Sequence, residues 1–342
     1  MLRAGVLYLG HLSRDCRVAG MAASCVSSIC YGCAIALTAV IAFGQSFPTK
    51  PVRLITAEAG GGADFIARLL AQVLSTDLGY QVLVDNQGGA SGVIAAQSVI
   101  KAPADGHTLL FYSSNIWILP FFQSNVPYDP VRDFSPVTLV DRAPTVLVVN
   151  PALPVTSVQQ LIALAKARPG ELNYAAGSTG APPHLSAELF KSMAAVNIVR
   201  INYKGTGPAV TDLIAGQVQL MFATSGAVSG HIKSGRLRAL AVTSAQPSPL
   251  APDLPTVAAA GVAGYEAEST HGVLVRAGTP EFIVGKLNQE IVRVLGNRDL
   301  QAKLLAAGVE PVGSTPAQFA QVMRADMAKW GKLIKERGIR ND

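Results

Sequence analysis

Two short stretches hold the residues best placed to do chemistry. In "AEAGGGAD" (Ala57 to Asp64) the carboxylates of Glu58 and Asp64 bracket Gly60, Gly61 and Gly62, with Ala63 between. In "AAGSTGAPPH" (Ala175 to His184) the hydroxyls of Ser178 and Thr179 stand between Gly177 and Gly180, with His184 close behind. A glycine loop that leads into a helix aims backbone N–H groups and the positive end of the helix dipole at one spot, which suits an anion. Nucleotides are poor candidates: no lysine follows the three glycines, and Phe65 stands where a dinucleotide fingerprint needs its third glycine. A hydrolase elbow fails as well, because Ala176 sits two residues before Ser178 where glycine is required. His184 follows two prolines and reads as a packing or capping residue rather than a base. The chain has five histidines and none pairs at metal-ligand spacing, so neither a metal, a cofactor nor a catalytic constellation is expected. Asp64 reads as the cap of a helix starting at Phe65, the alternative being that its carboxylate receives a ligand amine, and Asp212 as a helix-surface or hinge residue.

These loops need elements to hold them. "VRLIT" (Val52 to Thr56) predicts a buried strand, and Phe65, Ile66, Leu69, Leu70, Val73 and Leu74 form the stripe of an amphipathic helix. The plan repeats from Leu172 to Met193, where a second helix is expected to bury Leu185, Leu189, Phe190 and Met193. Further strands are predicted at 107–112, 145–150, 197–202, 219–223 and 237–243, with helices at 158–167 and 208–215. Such alternation argues for parallel α/β sheets, whose glycine loops can face one another across a ligand cleft. The segment 246–256 is too rich in proline for regular structure and marks a boundary or an irregular crossing. From Pro280 the tail is helical, with Phe282, Ile283, Leu287, Ile291 and Leu295 at helical spacing, and a last helix follows "STP" (Ser314 to Pro316).

Composition narrows the class. The 342 residues are 49% hydrophobic and 15% charged, which excludes disorder and leaves room for two domains. Arg3, Arg14 and Arg17 precede the uncharged run Cys33 to Phe43, and small residues at Ala42 and Gly44 complete a secretory signal over 1–44. The run is shorter than the ~20 residues of a spanning helix. All four cysteines precede Gly44, so the exported chain relies on an ordinary core rather than disulfides. Without the three arginines and Asp15 of that signal, 25 basic and 21 acidic residues remain, a net +4. They are scattered, with no basic stripe interleaved with aromatics, and nucleic acid is not an expected partner.

The motifs "FPTKPVRLI", "GGGADFIARLLA", "NQGGASG", "KAPADGHTLLF", "GSTGAPPHLSAELF", "NYKGTGPAVTDLIAGQVQLMF", "GRLRALAVTS" and "LPTVAAAGVAGYE" occur in that order. Taken together they resemble the substrate-binding proteins of tripartite tricarboxylate transporters, the Bug receptors related to TctC-type proteins, from about Phe47 to the C-terminus. The resemblance implies an α/β periplasmic binding protein of the two-domain, type II Venus-flytrap fold. It implies a discontinuous first domain over 45–147 and 267–342, and a second over 148–266. It also implies capture of a carboxylate-bearing solute between the loops Gly60–Asp64 and Gly177–His184. Ser113 and Asn115 of "SSN", and Tyr203, Gly205 and Thr206 of "YKGTG", are expected to line the same cleft. The implied partners are the small organic acid or zwitterion and the membrane permease subunits of a tripartite transporter. A sensor protein reading the closed receptor is the alternative partner, and an enzyme using Ser178 or His184 on the same scaffold is a further one. The chain departs from the family at Ala57–Glu58, where a proline and an aromatic are common, and at Ala63, where threonine is frequent. Glu58 either faces the cleft, where it repels a second carboxylate, or points to solvent.

Overall fold

The computed structural model describes residues 47–340 apart from 178 and 204, and the side chain of Leu78 is left aside. The expected signal segment 1–44 and Ser178 lie outside the described residues. One sheet orders its strands β2 (Val82–Asn86), β1 (Val52–Thr56), β3 (Thr108–Ser113), β9 (Glu268–Arg276) and β4 (Phe134–Val149), with β10 (Glu310–Pro311) on the far side of β4. The second sheet is built on the other end of β4, through β7 (Leu220–Thr224), β5 (Asn173–Ala176) and β6 (Val199–Asn202), with β8 (Arg238–Val242) also pairing β4. β1, β2 and β3 run parallel, as do β5, β6 and β7.

The all-parallel expectation is corrected by β4 and β9, which run antiparallel to their neighbours. Residues 134–144 of β4 pair with β9, and residues 145–149 pair with β7 and β8, so one strand passes from sheet to sheet. The return segment joins there too, since Ala267 N–H bonds to the Thr243 carbonyl at 2.9 Å. In this crossing region Asp141 is fully buried and lies 2.7 Å from His271 Nδ1 on the neighbouring strand. Burial alone would lower the His271 pKa, but the Asp141 charge and hydrogen bond outweigh it and the net shift is upward.

Helices cover the sheets in the alternating order the sequence implies: α1 (Gly62–Leu78), α2 (Val93–Lys101) and α3 (Asn115–Phe122) against the first, and α4 (Val158–Ala167), α5 (Pro182–Ala194), α6 (Thr206–Ile214) and α7 (Ser225–Lys233) with the second. The chain ends in α8 (Glu281–Leu295), α9 (Arg298–Ala306) and α10 (Pro316–Arg337). Thr315 and Gln318 form a reciprocal capping box at the start of α10, which is why "STP" opens that helix. The apolar stripes are narrower than their spacing suggests. Phe65 is 50%, Met193 40% and Phe282 68% exposed, while Ile66, Leu70 and Leu74 of α1 and Leu185, Leu189 and Phe190 of α5 are buried. Among the described residues no helix is long and apolar enough to cross a membrane.

Candidate functional site

Helix α1 starts at Gly62, three residues earlier than expected, with Gly61 as its N-cap. Asp64 therefore lies inside the first turn instead of capping it. Its carboxylate reaches back to the Gly60 N–H at 2.8 Å, accepts from Asn86 Nδ2 at 2.8 Å, and pairs with Arg68 Nε at 2.9 Å. Burial pushes the Asp64 pKa up, but the Gly60 and Asn86 hydrogen bonds and Arg68 prevail, and it lies below its ordinary value. Asn86 also donates to the Ala57 carbonyl at 2.8 Å. The glycine loop is thus tied to β2 and α1 by one polar cluster, and the Gly60 N–H is already spent.

Beside that cluster, the glycine-rich segment 88–92 shapes a wall. Gly88 lets Glu58 approach: a Cβ there would lie 2.7 Å from Glu58 Cβ and 2.9 Å from its Oε2. Gly92 does the same for Tyr112, whose ring carbons would lie 2.8 Å from a Cβ at that position. Between them Ala90 and Ser91 hold φ of 46° and 54°, a left-handed pair of non-glycine residues of the kind that collects at functional sites. Burial, and then the charge of Glu58, push the Tyr112 phenol up to about 12. From α3, Asn115, Leu119 and Phe122 present one helical face at i, i+4 and i+7.

The facing wall belongs to the loop before α5. Gly180 has φ of 80°, and a Cβ there would meet the Phe122 ring at 3.1 Å, so this loop packs closely on α3. Arg200 of β6 organises it: Nη1 donates to Thr179 Oγ1 at 3.2 Å, Nη2 donates to the Gly177 carbonyl, and Nη2 also donates to Asn202 Oδ1 at 3.0 Å. His184 is buried in α5 and accepts the Gly180 N–H at Nδ1, 3.0 Å away. Burial, followed by the Arg200 charge, pulls its pKa down to about 4, so the imidazole is neutral at pH 7. Prolines at the first two positions of α5 remove two more N–H groups.

Between the walls lies a cavity of about 500 Å³, lined by Glu58, Gly89, Ser91, Tyr112, Asn115, Leu119, Phe122, Thr179, Gly180 and Ala181. A second, much smaller cavity shares Asn115 and Gly180 with it and is also lined by Glu268, Ser269 and Trp330. Of the residues singled out in the sequence, Glu58, Asn115, Thr179 and Gly180 line the wide part. Gly60, Gly61, Gly62, Ala63 and Asp64 form the turn and first helical turn behind Glu58. Ser113 is the last residue of β3, paired with His271, while Gly177 and His184 support the opposite loop. Tyr203 gives its hydroxyl to Asp212 at 2.8 Å, and Gly205 caps α6. Thr206 lines a separate cavity with Thr211, His231 and Arg236. Sequence reasoning missed Tyr112, Leu119, Phe122 and Arg200, as well as the glycines at 88 and 92. The quoted "NQGGASG" was their one visible trace.

Residues 66–339 match the family described as tripartite tricarboxylate transporter family receptor. The chain belongs to that receptor family. It is 37% identical to Protein BugT of Bordetella pertussis over 299 residues, spanning 86% of this chain and 92% of BugT. A structure of an R. palustris protein with adipate shares 40% identity at a TM-score of 0.71, covering 86% of this chain and 99% of that one. MatC from Rhodopseudomonas palustris with bound malate shares 28% identity at a TM-score of 0.66, covering 84% and 100%. The two-sheet architecture is therefore that of the two-domain periplasmic solute-binding receptors of the TctC and Bug type.

Proposed function

We propose that this receptor captures a small carboxylate-bearing solute in the 500 Å³ cavity and presents it to the membrane permease of a tripartite tricarboxylate-type transporter. The observation that carries the reading is the cavity itself. It is the size of a small-molecule site, and its two walls come from different sheets joined by the crossing strand β4. Adipate and malate in two related structures supply the solute class. In this reading residues 45–147 and 267–342 move as one domain and 148–266 as the other, with the solute favouring the closed state. Residues 1–44 serve as a cleaved export signal, which puts the mature receptor in the periplasm. The ligand contacts fall to Glu58, Ser91, Tyr112, Asn115 and Thr179, with Leu119 and Phe122 as the apolar wall. His184 holds the Gly180 loop and does no proton transfer.

A thermal-shift screen of the exported chain against mono-, di- and aminocarboxylates tests this. At least one carboxylate should raise the melting temperature in a concentration-dependent way, and the uncharged amide or alcohol of the same skeleton should not. A flat response across the whole carboxylate set would refute the reading.

A further inference from the structure

The cavity lining has an unusual charge for a site that takes carboxylates. Among its ten residues Glu58 is the one acidic side chain, and no lysine, arginine or histidine is among them. Glu58 makes no ion pair with any described residue. Cations on the elements that build the two walls are bonded to other groups: Arg68 to Asp64 and Asn86, Arg53 to Asp85, and Arg200 of the facing wall to Thr179, the Gly177 carbonyl and Asn202. The carboxylate is also seated by its surroundings. Its side chain lies against the bare backbone of Gly88, and its loop is held through the bond from Asn86 to the Ala57 carbonyl. Any side chain at position 88 would occupy that seat.

We infer that Glu58 sets the specificity of the cavity and that the solute carries a cationic nitrogen at the end opposite its carboxylate, making it a small aminocarboxylate and not a dicarboxylate. This rests on the proposed solute-binding reading. A second solute carboxylate brought next to Glu58, a solvent-exposed side chain on the cavity wall, meets like charge with no cation among the lining residues to offset it. An ammonium there gains an ion pair, and the two cases differ by roughly tenfold or more in affinity. Leu119 and Phe122 flank the space between the ends and suit a short apolar spacer, while Asn115 and Thr179 offer donors to the solute's carboxylate on the far side.

The test is calorimetric titration of the chain with matched pairs of four to seven carbons (a length range on the order of what such a cavity holds). In each pair a dicarboxylate is compared with the ω-aminocarboxylate of equal length, adipate and its amino counterpart among them. The aminocarboxylate of the best pair should bind roughly tenfold more tightly than the dicarboxylate. Glu58→Gln should cut that preference by about as much, weakening the aminocarboxylate and strengthening the dicarboxylate. Gly88→Ala, which pushes the carboxylate from its seat, should shift the ratio in the same direction. A dicarboxylate that binds more tightly, with a ratio unmoved by Glu58→Gln, overturns this inference and leaves the carboxylate receptor standing. Silence from every member of both series overturns the two together.

Discussion

Removing the Asp64 carboxylate should loosen the whole wall that carries Glu58. In Asp64→Ala the Gly60 N–H, the Asn86 amide and the Arg68 guanidinium each lose an ionised acceptor held at 2.8–2.9 Å. Charge-assisted bonds of this kind contribute ~1.5–3 kcal/mol each when buried. The sum overstates the cost, because Gly60 is exposed and rehydrates, Asn86 keeps the Ala57 carbonyl, and Arg68 keeps Asn86 Oδ1. A net loss of about 2–3 kcal/mol remains. Since the folded-state pKa is depressed, this stabilisation is fully present above the unfolded value near 3.8 and disappears as pH falls through the lower folded value. Urea denaturation of both proteins at pH 7, and again at pH about 2–3, reads the effect directly. The difference in unfolding free energy should be largest at pH 7 and shrink in acid. A difference below about 0.5 kcal/mol at pH 7, or one unchanged in acid, would refute the role assigned to Asp64.

Three other perturbations have defined outcomes. Gly272→Ala places a Cβ 2.1 Å from Cζ of the fully buried Phe319, so it should cost about 3 kcal/mol in chemical denaturation through overpacking beneath the crossing strands. The His184 imidazole titrates near 6.5 when unfolded and about 4 when folded, so the neutral form is what folding favours. Its contribution is lost as pH falls from 6.5 toward 4, and the stability of wild type relative to His184→Gln should drop by up to ~3 kcal/mol over that window. Glu268 behaves oppositely: burial raises its pKa from 4.5 to about 7 against the pull of Arg142. Wild type should therefore lose up to ~3 kcal/mol relative to Glu268→Gln as pH rises from 4.5 through 7, measured by the same denaturation series.

The strands and helices with clean periodicity were legible in the sequence: Val52–Thr56 and Val158–Ala167 fall where the pattern predicts them. Of the crossing strands only the 145–149 part of β4 was. The part of β4 that pairs with β9, Phe134–Pro144, contains Pro136 and Pro144 beside Asp141 and Arg142, a composition that reads as loop until β9 is placed alongside it. The pairing of Asp141 with His271 depends on register between residues far apart in the chain, which no local pattern encodes. Site residues failed for a related reason. A glycine announces only that a side chain is missing, and what Gly88 and Gly92 make room for, Glu58 and Tyr112, lies 20 or more residues away in each case. Arg200 looks like an ordinary strand residue until Gly177 and Thr179 are brought against its guanidinium. The three glycines at 60–62 drew attention for their N–H groups, yet their contribution in the fold is the turn that delivers the neighbouring carboxylate.

A crystal structure of the exported chain with the best-binding carboxylate tests the central claim most directly. The account predicts one solute molecule enclosed between the Glu58–Tyr112 wall and the Thr179–Ala181 loop, with the two sheets closed about β4 and β9. Solute bound anywhere outside that cavity, with the walls untouched, would contradict it.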